Sequence, residues 1–199
     1  MTDWIEAAHF NDLDACDPDE VTARTGCRYD PETREYRVDV WGRTYGIDLD
    51  RQTLSSPAGA PESHQGFIFL FIFFYLIKGG SPLTGRLISE KDLPGGPGFF
   101  RGPHTLPTDW ITDRAGNDAA GFCTCCERLG GIRVAMADAA YTFEITPTVP
   151  VTVLFWDGDE DFPCEAKLLF DASIENDLPL DIVFALAVEV CHAFKSMAD

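Results

Sequence analysis

The amino-acid sequence predicts a single α+β domain, residues 1–199, in which a central buried apolar helix packs on a small, mainly antiparallel sheet with flanking helices. Three observations predict it. An uninterrupted apolar run extends from Phe67 to Ile77. The 199 residues are 45% hydrophobic and 24% charged, which suits a globular domain with one core. The predicted elements follow in the order helices, hairpin, helix, loop, helix, strands, helix, so strands and helices do not alternate regularly.

The apolar run decides the class of protein. A helix rises about 1.5 Å per residue and a bilayer core needs roughly 20 apolar residues, so the run is too short for a membrane anchor. Polar and apolar residues do not alternate in it, which disfavours a strand. We predict a helix over residues 63–78, with Ser63 as its N-cap and Lys78 in its last turn. This helix is either plain core or the wall of a hydrophobic ligand pocket, with Tyr75 as the polar group of that pocket.

The N-terminal part of the chain is predicted to be helical over residues 1–30. A first helix covers residues 4–15. Asp17 is a good N-cap for a second helix, because Pro18 suits the first helical position. Gly26 suits the end of that helix, since glycine adopts the left-handed conformation that follows many helices.

The rest of the chain contains a hairpin, a long loop and a block of strands. Residues 36–49 alternate apolar and polar side chains around Gly42, which predicts a β-hairpin. Residues 81–106 are rich in Gly and Pro and are either a binding loop or an ordered wrap over the core. The remaining predicted elements are a helix over 117–129, strands over 140–145, 151–156 and 165–170, and a final helix over 180–194.

The overall charge limits the partners. The formal net charge is −18 and the isoelectric point is about 4.4, so the surface repels phosphate backbones and anionic lipids. Nucleic acid and membrane surfaces are therefore not expected as partners, and cations are the one ligand class that this charge favours. The N-terminus has no signal-peptide pattern. The seven cysteines are odd in number, and Cys125 and Cys126 are adjacent, which predicts reduced thiols in a cytoplasmic protein.

The stretch Cys123-Thr124-Cys125-Cys126 is the first candidate site. Cys123 and Cys126 form a C-x-x-C pair, which suits a metal site or redox chemistry. The pair lies in the last turns of the predicted helix, where the negative helix end disfavours a thiolate. Core packing is the alternative, because five residues fall on one helical stripe. These are Ala119, Phe122, Cys123, Cys126 and Leu129.

The second candidate site is the acidic stretch DGDEDFP between two predicted strands. Its spacing does not fit an EF-hand, because the sixth and twelfth positions are Phe162 and Leu168. Clustered carboxylates repel one another unless they are solvated or bind a cation. The stretch is therefore either a solvated hairpin tip or a site for a cation or polar ligand. Its candidate ligand-binding residues are Asp157, Asp159, Glu160, Asp161 and Phe162.

Histidines and aromatic residues extend this second site. His104 lies in the long loop, and His64 precedes the central helix, so both are candidates for one cleft. Phe99 and Phe100 are the candidate apolar wall. None of the four histidines stands at metal-ligand spacing from another, so a surface or hydrogen-bonded role is the alternative. The common nucleotide-binding, serine-hydrolase and zinc-protease motifs are absent from the sequence.

Several sequence blocks together resemble a family. They are PLTG at 82–85, LPGG at 93–96, GDEDFP at 158–163 and LFD at 169–171. In this order, after the apolar helix, they resemble a prokaryotic family named only as domain of unknown function 3786, over residues 36–194. The resemblance implies a cytoplasmic protein of anaerobic metabolism, with cofactor-related modules fused to some members. It implies no catalytic residue.

The functional expectation is a non-catalytic binding module for a small ligand, metal or cofactor. Its cleft is expected between loop 81–106 and the DGDEDFP stretch. The cofactor is unknown, with a metal ion or an iron–sulfur or tetrapyrrole-type group as candidates. Two alternatives remain: a metal- or thiol-dependent redox enzyme built on Cys123 and Cys126, and an adaptor subunit that binds another protein. The sequence does not decide whether the chain is an enzyme.

Overall fold

A computed structural model of the chain describes residues 5–57 and 65–197. Helix α1 (Ala7–Asp14) and helix α2 (Pro18–Thr25) come first. The side chain of Asp17 accepts a hydrogen bond from the backbone N–H of Asp19, and Gly26 has a φ of 71°. Both predicted caps of α2 are therefore present, because they depend only on neighbouring residues.

The first sheet is a four-stranded antiparallel meander. It consists of β1 (Arg28–Asp30), β2 (Glu35–Val40), β3 (Arg43–Asp48) and β4 (Thr53–Ser55), in that order. The predicted hairpin is formed by β2 and β3, with Trp41 (φ 49°) and Gly42 (φ 70°) in its turn. Two successive positive φ values match the right-handed twist of a two-residue hairpin.

The tip of this hairpin connects the first sheet to the rest of the molecule. The backbone N–H of Trp41 donates to the carbonyl of Ile145 over 2.7 Å, and the indole N–H donates to the carbonyl of Leu129 over 3.1 Å. The indole also lies 5.2 Å from the ring of Phe143. The positive φ of Trp41 is thus held by contacts with a distant part of the chain.

Helix α3 (Gln65–Lys78) contains the apolar run. Its predicted N-cap, Ser63, lies outside the described residues. Six of its large side chains are buried, and of the half-buried ones, those at 67, 70, 74 and 77 fall on one stripe while Ile68 lies beside it. The guanidinium of Arg24 binds the C-terminal end of α3 by donating to the carbonyls of Leu76 (2.9 Å), Ile77 (3.3 Å) and Gly79. This satisfies carbonyls that have no partner within the helix.

The second sheet is antiparallel and consists of β5 (Leu87–Ser89), β6 (Ile132–Arg133), β7 (Ala139–Thr146), β8 (Val149–Trp156) and β9 (Glu165–Asp171). Their order across the sheet is β5-β9-β8-β7-β6. The remaining helices are α4 (Gly96–Phe99), α5 (Asp109–Ala115), α6 (Ala119–Arg128), α7 (Ile174–Asp177) and α8 (Leu180–Lys195).

Helices α5 and α6 pack on the second sheet, and α8 packs on α5 and α3 and places Phe194 against Phe143 of β7. Phe122 of α6 stacks on Phe155 of β8 (ring centroids 4.8 Å apart) and on Phe194 of α8 (6.2 Å). Buried residues of both sheets and of the helices form one hydrophobic cluster. The α+β prediction is confirmed, with antiparallel strands in two sheets. Within the described residues, none of the helices has the length and apolar character needed to span a bilayer.

Candidate functional site

The DGDEDFP stretch forms a loop between β8 and β9 that is held by its own carboxylates. Asp157 Oδ1 accepts a hydrogen bond of 2.7 Å from the N–H of Ala119 in the first turn of α6. Asp159 Oδ1 accepts from the N–H groups of Asp161 and Phe162, both over 2.8 Å. The N–H of Asp159 donates to the carbonyl of Phe162 over 2.8 Å. Two of the predicted ligand-binding carboxylates are therefore engaged within the protein. Asp157 binds α6, and Asp159 binds the loop itself.

Cys164 fastens the other end of the loop. Its Sγ donates to the carbonyl of Asn117 and accepts from the N–H of Gly158, each over 3.0 Å. A Cβ atom at Gly158 would lie 2.8 Å from the backbone nitrogen of Cys164, so glycine is required for this close approach. Nothing in the local sequence predicts this role of Cys164, because its partner Asn117 is distant along the chain.

The loop residues from 157 to 163 are all exposed to solvent. Glu160 and Asp161 are exposed, and the side chain of Phe162 is 71% exposed. Among the large apolar side chains that the structure describes, Phe162 is the most exposed. The loop thus presents an aromatic ring beside two carboxylates, on a backbone held by internal hydrogen bonds.

The aromatic residues of loop 81–106 pack on α8. The rings of Phe99 and His104 stack with centroids 4.3 Å apart, and His104 also meets the edge of Phe184 at 5.2 Å. Phe100 is buried beside Phe99. Within the described residues, no hydrogen bond, ion pair or ring contact joins this group to the acidic loop. The single cleft between them stays a prediction, as does the role of His64, which lies outside the described residues.

Tyr75 is fully buried and its hydroxyl is engaged within the fold. It donates to the carbonyl of Thr25 over 3.0 Å and accepts from the hydroxyl of Thr148 over 3.3 Å. It thereby connects α3 to the end of α2 and to the turn between β7 and β8. These two hydrogen bonds account for the presence of the Tyr75 hydroxyl in the apolar run, and no ligand is needed to explain it.

The three neighbouring cysteines differ from the predicted stripe. Cys125 and Cys126 are buried and Cys123 is half-buried against the same core, so the core-facing arc of α6 includes Cys125 in addition to the predicted residues. The reason is that α6 packs on α5 as well as on the sheet, and Cys125 Sγ lies 3.8 Å from the carbonyl of Arg114 on that side.

Burial, followed by the nearby thiols of Cys125 and Cys123, raises the pKa of Cys126 above its ordinary value. This disfavours the thiolate that metal binding and redox chemistry need. Across the described ranges, no three His, Cys, Asp or Glu side chains converge as metal ligands. A metal site at Cys123 and Cys126 stays a prediction.

Two buried carboxylates, which sequence analysis did not select, hold the start of loop 81–106. Asp177 is 2% exposed and accepts from the N–H groups of Gly80 (3.2 Å) and Ser81 (3.1 Å), and from the Ser81 hydroxyl. Asp171 is 4% exposed and accepts from the N–H (2.9 Å) and hydroxyl (3.0 Å) of Thr84.

Asp171 receives two further hydrogen bonds, from the N–H groups of Gly85 (2.7 Å) and Ser173 (2.9 Å). Burial alone would raise the pKa of this carboxyl, but the hydrogen bonds from Ser173 and Thr84 outweigh it and lower the pKa to about 2. The carboxylate is therefore ionised at neutral pH. In the sequence, Thr84 belongs to the block PLTG and Asp171 to the block LFD. The structure brings these two blocks into contact.

The comparison with protein families agrees with these blocks. The model of the family described as "Domain of unknown function (DUF3786)" matches residues 17–193. The chain belongs to this family. The match confirms the resemblance and begins nearer the N-terminus than residue 36. Every candidate site residue lies within this DUF3786 region. Searches of curated proteins and of solved structures found no match.

Proposed function

We propose that the chain is a non-catalytic binding module and that its ligand is another protein. The observation that supports this is the exposed ring of Phe162 on the acidic loop. Burying a Phe side chain contributes roughly 1.5–3 kcal/mol, which is enough to dominate a small protein–protein contact. Glu160 and Asp161 beside it supply charge for orientation and partner choice.

The hydrogen bonds of the loop favour binding. Association is opposed by the entropy lost when a flexible loop becomes ordered. Here the side chains of Asp159 and Cys164 already hold the loop backbone on both sides of Phe162. The backbone that carries the ring is therefore ordered before a partner arrives, and less free energy is lost on ordering the loop.

We propose a non-catalytic role because the candidate polar side chains form hydrogen bonds within the protein. Tyr75, Asp157 and Asp159 all make hydrogen bonds within the protein. The thiol of Cys126 is buried, and its raised pKa disfavours the nucleophilic form. A small-ligand or metal site and a redox function built on Cys123 therefore have less support than a protein contact.

The proposal also covers the cellular compartment of the protein and one class of partner, nucleic acid. We place the protein in the cytoplasm, because its seven cysteines are all free thiols. We also propose that it does not bind nucleic acid, since a net charge of −18 repels phosphate.

The test uses a photo-crosslinking phenylalanine analogue at position 162. The same analogue at Leu83, which is 47% exposed on loop 81–106, is the matched control. We expect covalent adducts with a partner protein from the 162 variant only. An excess of unlabelled wild type should compete for the partner more strongly than unlabelled Phe162→Ala does. Adducts that are equal at both positions, or none at 162, would overturn the proposal.

A further inference from the structure

A second exposed surface lies on the edge strand β6 and the residues after it. The stretch from Arg128 to Ala137 reads RLGGIRVAMA, with two arginines and no carboxylate, in a chain whose net charge is −18. Ile132 is 66% exposed and Met136 is 38% exposed. Arg133 between them is exposed, and no ion pair of Arg133 is found among the residues described. We call Ile132, Arg133 and Met136 the basic patch.

The acidic loop offers the complementary surface. We call Glu160, Asp161 and Phe162 the acidic patch. Each patch combines exposed apolar area with charge, and the two charges are opposite. Contacts of this kind between proteins have a desolvated apolar centre and charged groups at the rim.

The two patches are connected at one end of the second sheet, although Ile132 and Arg133 pair with Thr142 and Tyr141 nearer its middle. Asp138, just after the basic patch, donates its N–H to the carbonyl of Phe155 over 3.2 Å. Its Oδ2 accepts from the N–H of Asp157, the first residue of the acidic loop, over 3.0 Å. Phe162, Ile132 and Met136 nevertheless all remain exposed, so the patches do not cover each other within one chain.

We propose that the partner of the acidic patch is the basic patch of a second copy of this chain. The inference rests on the proposed function, because it names the partner of the same loop. A two-fold axis forms each contact twice, and it requires one surface that carries both halves of the contact. Both patches are exposed on one chain, on segments joined by the contact between Asp138 and Asp157, which meets that requirement.

The net charge opposes this association only at long range. Two copies of charge −18 repel each other, but at about 0.15 M salt the Debye length is about 8 Å, so distant charges are screened. The pairing of Arg133 with Glu160 and Asp161 acts at contact distance. We therefore expect the dimer at physiological ionic strength and weaker association at low salt.

The test is sedimentation equilibrium over a concentration series of the full chain. We expect the mass to rise from 22.0 kDa toward twice that value. Phe162→Ala and Arg133→Glu should each raise the dimer dissociation constant by about tenfold or more. Leu83→Ala, on a different exposed surface, should leave it unchanged. A wild type that stays at 22.0 kDa at every concentration would overturn the inference.

A charge exchange decides whether the two patches meet. Glu160→Arg with Asp161→Arg should weaken the dimer, and adding Arg133→Glu to that variant should restore it. Failure of this restoration would show that a dimer forms through another surface.

The photo-crosslinking experiment separates the two proposals. An adduct with a different protein would support the proposed function and refute the second copy as partner, whereas no adduct at position 162 would refute both.

Discussion

Replacing Asp171 with Asn should destabilise the protein by much more than a surface substitution does. The side chain keeps its shape, but its charge disappears and one of its oxygens becomes an N–H₂ group. In the wild type, that carboxylate accepts four hydrogen bonds, including one of 2.7 Å from the N–H of Gly85. An amide nitrogen in this position faces another donor, which leaves a buried N–H without an acceptor.

The magnitude follows from the pKa of Asp171. Its fall from 3.8 to about 2 corresponds to about 2 kcal/mol of stability for the protein with the ionised group. The folded pKa is the lower one, so this stability is fully present above pH 3.8 and is lost as pH falls through about 2. At about pH 3, roughly half of it remains. With the unpaired donor added, we expect a loss of about 2–4 kcal/mol at pH 7.

Urea unfolding at pH 7 and at pH 3 measures this effect. The difference in the free energy of unfolding between wild type and Asp171→Asn should shrink at the lower pH. Asp92→Asn is the matched control, because Asp92 also accepts from a neighbouring N–H and hydroxyl, both of Ser89, but is exposed. A loss for Asp171→Asn no larger than for Asp92→Asn, or one independent of pH, would refute the reasoning.

Three further perturbations follow from the packing. Arg24→Ala should lower the unfolding free energy by about 1–3 kcal/mol in urea unfolding, because carbonyls at the end of α3 lose a charged donor. Gly121→Ala should lower the melting temperature, since a Cβ there would lie 2.0 Å from the carbonyl oxygen of Ala115. Iodoacetamide labelling followed by mass spectrometry should modify Cys123 before Cys126, whose burial raises its pKa.

Each of these predictions has a clear contrary result. Arg28→Ala, which removes an exposed ion pair with Asp39, should have a smaller effect than Arg24→Ala, and equal losses would contradict the capping role. A Gly121→Ala variant that melts at the wild-type temperature would show that α5 and α6 can move apart. Equal labelling rates for the two cysteines in the native protein would contradict the burial of Cys126.

The sequence predicted the features that depend on neighbouring residues. The caps of α2, the hairpin over residues 36–49 and the helical form of the apolar run all follow from local patterns. A cap joins residues two or three positions apart, and a hairpin shows an alternation that continues across its turn. The sheet around β7, β8 and β9 was also predictable as separate strands, because each is apolar and bounded by turn residues.

Other features required the tertiary structure. Loop 81–106 contains β5, whose Leu87 pairs with Asp171, and nothing near Leu87 in the sequence indicates this pairing. The role of Asp171 depends on Thr84, and that of Cys164 on Asn117. These partners are far apart along the chain, so no periodic pattern connects them.

By itself, the sequence determined the class of fold, the family and the separate candidate residues. Hydrophobic periodicity, capping residues and the order of the family blocks depend only on the order of residues in the chain. Only the tertiary structure decided which polar groups remain available. Tyr75 and Phe162 look alike as candidates in the sequence, but the Tyr75 hydroxyl is buried and hydrogen-bonded to Thr25 and Thr148, whereas Phe162 is left exposed. The reason is physical: a polar group must find a partner when it is buried, and the partner is chosen by packing between distant segments.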